Sequence, residues 1–467
     1  MSETPHIGPE GPAFGRRGFL LAAAALAVGA PEAAAQPARD WAVPATRRAG
    51  GAGPRALRDL ARRVRGPVLR HDRGVYNLRY AGVRPDAVVH PLDAHDVQAV
   101  LRWADRHDVR LAARSGGHSY AGYSTLDEGV VVDLRRLRGI SVHRGGSRAS
   151  IGAGAHAIEV VDALGRHGGA VPLGSCPTVG IGGLALGGGY GLAARAWGLT
   201  ADEVVAITVV TPDGKRRHVD AHHHADLFRA LRGAGGGNFA IATRFELRVH
   251  HAPRAAFFRG SLPGAADAIA AWQAWAPETD PRLTALLQLG SDGGVNVLGQ
   301  YLGSEAELSR LLGPLRRAGA SLTTGTSAYG PLQVRWANGR TSPRTRFSAK
   351  SHYVPHALPA HTRERLVAEL ARSRCSLLFD AYGGAAEAIH HRDARYSIQY
   401  LTYDGDTAGL RRLHAIVAPH ANGAYVNYID PGLRGWRRAY YGRHLARLEA
   451  VRERYDPDRR FRFPRSI

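Results

Sequence analysis

Lysine is almost missing from this chain. Lys215 and Lys350 are the only lysines among 62 basic residues, and the rest are arginines. Against 40 acidic residues they leave a net charge of +22. A nucleic-acid binder would cluster such charge and interleave it with aromatics. Here the arginines are spread along the chain and aromatics make up only 7% of it, so no nucleic-acid partner is expected. The arginine excess, beside abundant alanine and glycine, reads as a coding bias. Attraction to an acidic substrate or an anionic surface is the other reading. Cysteine is scarce too: Cys176 and Cys375 exclude a disulfide framework and leave room for one bridge at most. Beyond the N-terminus no apolar run is long enough for a transmembrane helix, so a soluble mature protein is expected. The 467 residues still suffice for one large unit or two to three subdomains with a sizeable core.

The N-terminus carries a targeting pattern. Arg16-Arg17-Gly18-Phe19-Leu20 precedes an alanine- and leucine-rich run through Ala30, and Ala33-Ala34-Ala35 offers small residues for cleavage. The run is too short to span a bilayer as a helix. The paired arginines resemble a twin-arginine export signal, a route for folded, cofactor-loaded proteins. An ordinary secretory signal is the alternative. Residues 1–35 are set apart on this basis, and an extracellular or periplasmic location is expected.

Residues 36–75 are rich in arginine, alanine and glycine and show little pattern. From Tyr76 the periodicity sharpens. Val88–His90, Val109–Ala113, Val130–Leu134 and Ala149–Gly152 read as strands. Asp93 is a plausible cap for a helix burying Val97, Val100, Leu101 and Ala104. A further helix carries Val160, Val161 and Leu164. Val204–Val210 and Lys215–Val219 flank the turn Pro212-Asp213-Gly214, a hairpin signal. In Ala240–Val249 the residues Ile241, Thr243, Phe245, Leu247 and Val249 alternate with Arg244, Glu246, Arg248 and His250. From about Arg254 the texture changes. Thr284–Leu289, Val295–Tyr301 and Ser397–Tyr403 read as strands, and Ala265–Trp275, Glu305–Ala318 and His361–Ser373 as helices. An antiparallel sheet with helices on one side is predicted for this part. A last helix over about Gly435–Tyr455 buries Leu445, Leu448 and Val451 and stops at Asp456-Pro457.

The chemistry-bearing residues sit in two glycine loops. The first is Arg114-Ser115-Gly116-Gly117-His118-Ser119-Tyr120-Ala121-Gly122. The second runs from Gly174-Ser175-Cys176-Pro177-Thr178-Val179-Gly180 through Gly183 and Gly188 to Gly191. Without Cβ atoms, such loops bring backbone N–H groups close to a phosphate-bearing ligand. His118 and Cys176 add two nucleophiles. The generic dinucleotide pattern G-x-G-x-x-A fits three places, Gly152–Ala157, Gly180–Ala185 and Gly235–Ala240. Only the first stands between a strand and a helix, and it lacks the acidic ribose reader about 20 residues on, which argues against a nicotinamide-binding domain. His222-His223-His224 cannot all face one ion from a regular element, so a solvated loop is favoured and no metal is expected.

The two loops together resemble those of the berberine bridge enzyme-like flavoproteins, within the vanillyl-alcohol oxidase superfamily. Leu227–Gly233 leading into Gly235-Gly236-Gly237-Asn238-Phe239 extends the likeness. So do Tyr425-Val426-Asn427-Tyr428-Ile429-Asp430, Tyr440-Tyr441-Gly442, Arg447-Leu448, Tyr455-Asp456-Pro457 and Ser466-Ile467. The chain departs from the family pattern at His444, Arg452 and Arg465. The resemblance runs from Tyr76 to the C-terminus and is weakest across the central half.

The resemblance implies an α+β fold: a two-subdomain FAD-binding domain of the vanillyl-alcohol oxidase type plus a substrate domain with an antiparallel sheet flanked by helices. Residues 76–253 and 421–467 would form the first and 254–420 the second. It implies one FAD bonded to both His118 and Cys176. Arg114, Ser115, Gly116, Gly117, Ser119, Tyr120, Gly122, Val179, Gly180, Gly183, Gly188, Gly191, Ile241, Tyr425 and Asn427 would surround it. A disulfide from Cys176 to Cys375 would compete with that attachment, and a buried free thiol is the favoured reading of Cys375. The implied activity is oxidation of a hydroxyl-bearing carbon by hydride transfer to flavin N5, with oxygen as the final acceptor. Tyr428 is the implied base, although an ordinary tyrosine, with a pKa of about 10, must be tuned for that role. Gln399, Tyr400, Tyr353 and His352 are candidates for the substrate wall. An oligosaccharide and a phenolic or glycosylated secondary metabolite remain alternative substrates. A flavin dehydrogenase and a non-catalytic flavin-binding protein remain alternative functions. A monomer is expected.

Overall fold

Asp93 caps the first long helix, Ala94–His107, by accepting hydrogen bonds from the His95 and Asp96 amides. Val97, Val100, Leu101 and Ala104 are buried along it, the stripe that their spacing predicts. The computed structural model describes residues 51–70, 74–382, 391, 393–403 and 405–467. Residues 1–35, where an export signal is predicted, and residues 36–50 lie outside the described residues. The remainder of the patternless N-terminal segment holds a helix, Pro54–Arg63, with proline in its first turn. Leu60 is buried, and Trp103 donates its indole N–H to the Ala56 carbonyl at 3.0 Å. The arginines on its outer face mask a one-sided apolar contact.

The first half holds two main sheets, besides a two-stranded pair of Gly169–Ala170 with His250–His251. Val68–Leu69, Ala87–Val89, Val130–Asp133 and Leu111–Arg114 lie in that order, and the last three run parallel. Ile140–Val142, Arg148–Gly152, Ile241–Arg248, Val204–Val210 and Arg216–Asp220 form an antiparallel sheet. One apolar core joins both sheets. It also takes in Ala424, Val426, Tyr440, Tyr441, Leu448, Val451, Phe461 and Ile467 from the far end of the chain.

A seven-stranded antiparallel sheet fills the middle. Its order is Ser321–Ala328, Arg254–Ser261, Val295–Tyr301, Leu283–Gly290, Ser376–Ala381, Tyr396–Thr402, Ser348–Val354. Strand alternation gives it two different faces. Leu283, Ala285, Leu287, Leu377, Phe379 and Ile398 face a core shared with the helices Ala265–Trp275, Ala360–Ala371 and Thr407–Val417. Leu286, Leu378, Asp380 and Gln399 point the other way, into a cavity toward the first half. One helix, Tyr329–Trp336, packs on that second face against Ala255, Phe257 and Leu286, so the helices are not all on one side.

Two predicted helices are broken. Glu305–Leu311 and Gly313–Arg317 are separate, because Pro314 has no N–H for a continuous ladder. Trp436–Tyr441 and Leu445–Tyr455 are parted at Gly442, whose φ of 44° turns the chain out of the helix. No helix among the described residues is long and apolar enough to cross a membrane.

Candidate functional site

The two glycine loops meet backbone to backbone. A Cβ on Gly116 would lie 2.3 Å from the Gly180 nitrogen, and one on Gly180 would lie 2.2 Å from the Gly116 nitrogen. Glycine at both places is what lets the loops close. That closure brings the nucleophiles together: Cys176 Sγ is 3.9 Å from His118 Nδ1. His118 Nε2 is 2.9 Å from Thr178 Oγ1, and the Tyr76 ring stacks on the imidazole with centroids 3.9 Å apart. Ser342 Oγ, from the central part of the chain, lies 3.4 Å from Cys176 Sγ.

His118 is half-buried, with a cavity on one side and a second cleft on the other. Burial pulls its pKa down to about 3, with His156 adding to the effect, so the imidazole is neutral at pH 7 and keeps a lone pair. Burial pushes the Cys176 thiol up, while the Ser342 hydroxyl and the Thr178 amide and hydroxyl pull it back.

A cavity of about 310 Å³ runs past both residues. Of the sequence-predicted residues it is lined by Ser115, Gly116, Gly117, His118, Ser119, Tyr120, Cys176, Val179, Gly180, Gly183, Gly191, Ile241, Tyr425, Asn427 and Tyr428. The Tyr425 hydroxyl accepts hydrogen bonds from the Gly189 amide at 2.7 Å and the Asn427 side chain at 3.0 Å. Asn427 also donates to the Leu184 carbonyl at 3.1 Å. The Tyr428 ring lies parallel to Tyr120, with centroids 5.0 Å apart, and edge-on to Tyr425 at 4.9 Å. Gln399 donates to the Tyr120 hydroxyl at 2.7 Å. A larger cavity of about 980 Å³ adjoins this one across Tyr120, Tyr123 and Phe463. Neither His118 nor Cys176 lines it, so the smaller cavity is the candidate site.

Three of the residues predicted to surround the cofactor do not line the smaller cavity. Arg114 is buried and ion-paired with Asp133 under the loop, because a charge this deep needs a partner more than a ligand does. Gly122 lies against the Tyr80 ring and lines the larger cavity. Gly188 backs onto Leu199 and Tyr425 behind the wall. Among the substrate-wall candidates, Gln399 alone lines the cavity. Tyr400 and His352 sit on the helix face of the sheet, hydrogen-bonded to each other at 3.1 Å. Tyr353 is buried against Tyr382 and Tyr425. His223 bonds to Asp220 and His224 to Tyr455, so these two rings of the histidine run serve different partners. Cys176 and Cys375 are not joined in a disulfide. Arg452 is buried and pairs with Asp456 at 3.2 Å, tying down the C-terminal turn.

Sequence reasoning missed Asp380. It faces the cavity from Ser376–Ala381, accepts a hydrogen bond from Ser397 at 3.1 Å, and burial pushes its carboxyl up to about 7. One acid in the apolar run Leu377-Leu378-Phe379-Asp380-Ala381 was the available signal. Tyr76, Thr178 and Ser342 were missed as well, and only Thr178 is near in sequence to a recognised residue.

A glycine-edged cleft with two neutral nucleophiles on one wall fits a flavin bearing phosphates. The comparisons agree. The family model described as "FAD binding domain" matches residues 85–220, and "Berberine and berberine like" matches residues 424–467. The FAD-linked oxidoreductase YvdP of Bacillus subtilis is 31% identical, over 83% of this chain and 93% of its own. A chitooligosaccharide oxidase of Gibberella zeae is 31% identical, over 85% of this chain and 90% of its own. The structure of BBE-like 1 from Physcomitrella patens superposes with a TM-score of 0.84 at 27% identity, covering 88% of this chain and 98% of that one. The chain belongs to the berberine bridge enzyme-like family of FAD-dependent oxidoreductases.

Proposed function

We propose that this FAD oxidase carries its flavin on two covalent bonds, from His118 and Cys176. It oxidises a hydroxyl-bearing carbon, with an oligosaccharide converted at its anomeric carbon to a lactone as the favoured substrate. The 3.9 Å separation of Cys176 Sγ and His118 Nδ1 on one cavity wall carries the covalent reading, since both atoms can then serve one ring system. The chitooligosaccharide oxidase among the relatives supports the substrate class. Bound in the cleft, FAD supplies a two-electron acceptor that oxygen regenerates with release of hydrogen peroxide.

The chain's own residues handle binding and the proton. The Ser115–Tyr120 and Val179–Gly183 loops present backbone to the cofactor, and Tyr425 and Asn427 brace the continuation of the second loop through the Gly189 amide and the Leu184 carbonyl. A hydroxyl must lose its proton as its carbon is oxidised. Tyr428, which lines the cavity, is our candidate to meet that hydroxyl, but burial pushes its phenol well above the ordinary value, with Tyr120 and Asp380 adding to the effect. It stays protonated near neutral pH, so it accepts a proton only by passing its own onward. We assign the receiving role to Asp380, which lines the same cavity and whose carboxyl burial pushes up to about 7. Gln399 completes the wall through Tyr120.

In this reading residues 76–253 and 421–467 hold FAD and 254–420 hold substrate, a division supported by the separate apolar cores. The protein works as a monomer on a small molecule and oxygen, exported by the twin-arginine route on Arg16-Arg17. Acid precipitation tests the attachment: the pellet stays yellow in wild type and in His118→Ala and Cys176→Ala singly, and turns white in the double variant. A colourless wild-type pellet would overturn it. Peroxide release, screened over oligosaccharides and phenols, tests the substrate.

A further inference from the structure

Two hydroxyls from different chain segments hold the nucleophiles: Thr178, which meets His118 and also reaches Cys176, and Ser342, which meets Cys176 alone of the two. Thr178 Oγ1 sits 2.9 Å from His118 Nε2, on the ring edge away from Cys176. Ser342 Oγ sits 3.4 Å from Cys176 Sγ. Ser342 follows the helix Tyr329–Trp336 and belongs to the central part of the chain, 166 residues from Cys176. Tyr76 closes the frame by stacking on His118 at 19° between ring planes. Tyr76, His118, Thr178 and Ser342 also line a cleft of about 720 Å³ on the outer side of the first loop, so the frame lies between that cleft and the flavin cavity.

We propose that Thr178 and Ser342 are positioning residues for flavin attachment, Thr178 for the bond at His118 and Ser342 for the bond at Cys176. The proposal rests on the covalent reading above. Thr178 engages Nε2 and so leaves Nδ1 as the bonding nitrogen, already facing Cys176 and the cavity. The Ser342 hydroxyl steadies the sulfur as it gives up its proton, offsetting the burial that disfavours the thiolate. Each attachment replaces a C–H of the flavin ring system by C–N or C–S. The C–H and the N–H or S–H together release two protons and two electrons, which reduce one oxygen molecule to hydrogen peroxide. Because Ser342 comes from the central part, attachment at Cys176 requires that part to be docked, whereas attachment at His118 needs only the first half.

The test reads peptide masses and leaves turnover aside. Wild type, Thr178→Val, Thr178→Ser, Ser342→Ala and Ser342→Thr are purified, denatured and digested. The fraction of His118 and Cys176 peptides carrying flavin is then measured. Thr178→Val is expected to lower occupancy at His118 at least tenfold and at Cys176 much less, since the Thr178 amide and the Ser342 hydroxyl still serve the sulfur. Ser342→Ala is expected to do the reverse, and the two hydroxyl-keeping variants to restore each site. Circular dichroism confirms that each variant is folded. Equal loss at both sites in both variants, or no loss in either, overturns the proposal. A wild type with no flavin on either peptide overturns instead the covalent reading beneath it.

Discussion

Replacing Asp380 by asparagine should stabilise the protein and disable it together. The carboxyl is 3% exposed in a wall of Leu286, Leu378 and tyrosine rings, and burial raises its pKa from 3.8 to about 7. Below pH 3.8 both folded and unfolded chains hold the proton and there is no penalty. Between 3.8 and about 7 the unfolded chain ionises first, so stability falls as pH rises. Above 7 the full penalty is present and constant. A rise of this size corresponds to about 4 kcal/mol at most, and water or ligand in the cavity reduces it. Asparagine keeps the shape and can still accept from the Ser397 hydroxyl without carrying charge. Thermal melts of the flavin-loaded protein should therefore show Asp380→Asn several degrees more stable than wild type at pH 8, with the gap narrowing toward pH 5. Turnover should fall by about 10²-fold or more, and the wild-type limb that rises through about pH 7 should disappear. Equal melting at pH 8 with turnover and its limb intact would refute both the buried charge and its role.

Tyr428→Phe should lower kcat by about 10²–10⁴-fold while leaving the yellow colour of the acid pellet unchanged, which separates proton handling from attachment. Gly180→Ala puts a Cβ 2.0 Å from Ser115 Oγ and 2.2 Å from the Gly116 nitrogen, so it should cost about 1–3 kcal/mol and reduce flavin content, read by melting and by absorbance. Cys375→Ala removes a buried thiol that donates to the Asp406 carbonyl at 3.7 Å. It should cost on the order of 1 kcal/mol and leave flavin content and turnover alone, checked by melting and the flavin-to-protein absorbance ratio.

Local signals were legible wherever one residue dominated its surroundings. Asp93 announced its helix, Pro212-Asp213-Gly214 its hairpin, and the alternation in Ile241–Arg248 its buried face. The two nucleophile loops were readable because glycine spacing this long is rare by chance. Polar strands such as Ser321–Ala328 were not readable, since an edge strand with threonine and serine on both faces has no apolar period. Pro54–Arg63 was hidden by its arginines, and Gly442 was too small a signal to break a helix on paper. Arg114 reads from sequence as a ligand contact because it stands in a loop beside a phosphate site, whereas the structure pairs it with Asp133. Its partner Asp133 is adjacent only through the strand pairing of Leu111–Arg114 with Val130–Asp133. Asp380 and Ser342 reach the site through the seven-stranded sheet and a long-range loop, and no local pattern encodes that arrival.

The intact mass of the denatured wild-type protein tests the covalent flavin most directly. The account predicts a single species heavier than the processed chain by one FAD less four hydrogens, with digestion returning one cross-linked product that contains both the His118 and the Cys176 peptides. The bare chain mass, with yellow colour released into the supernatant, would contradict it.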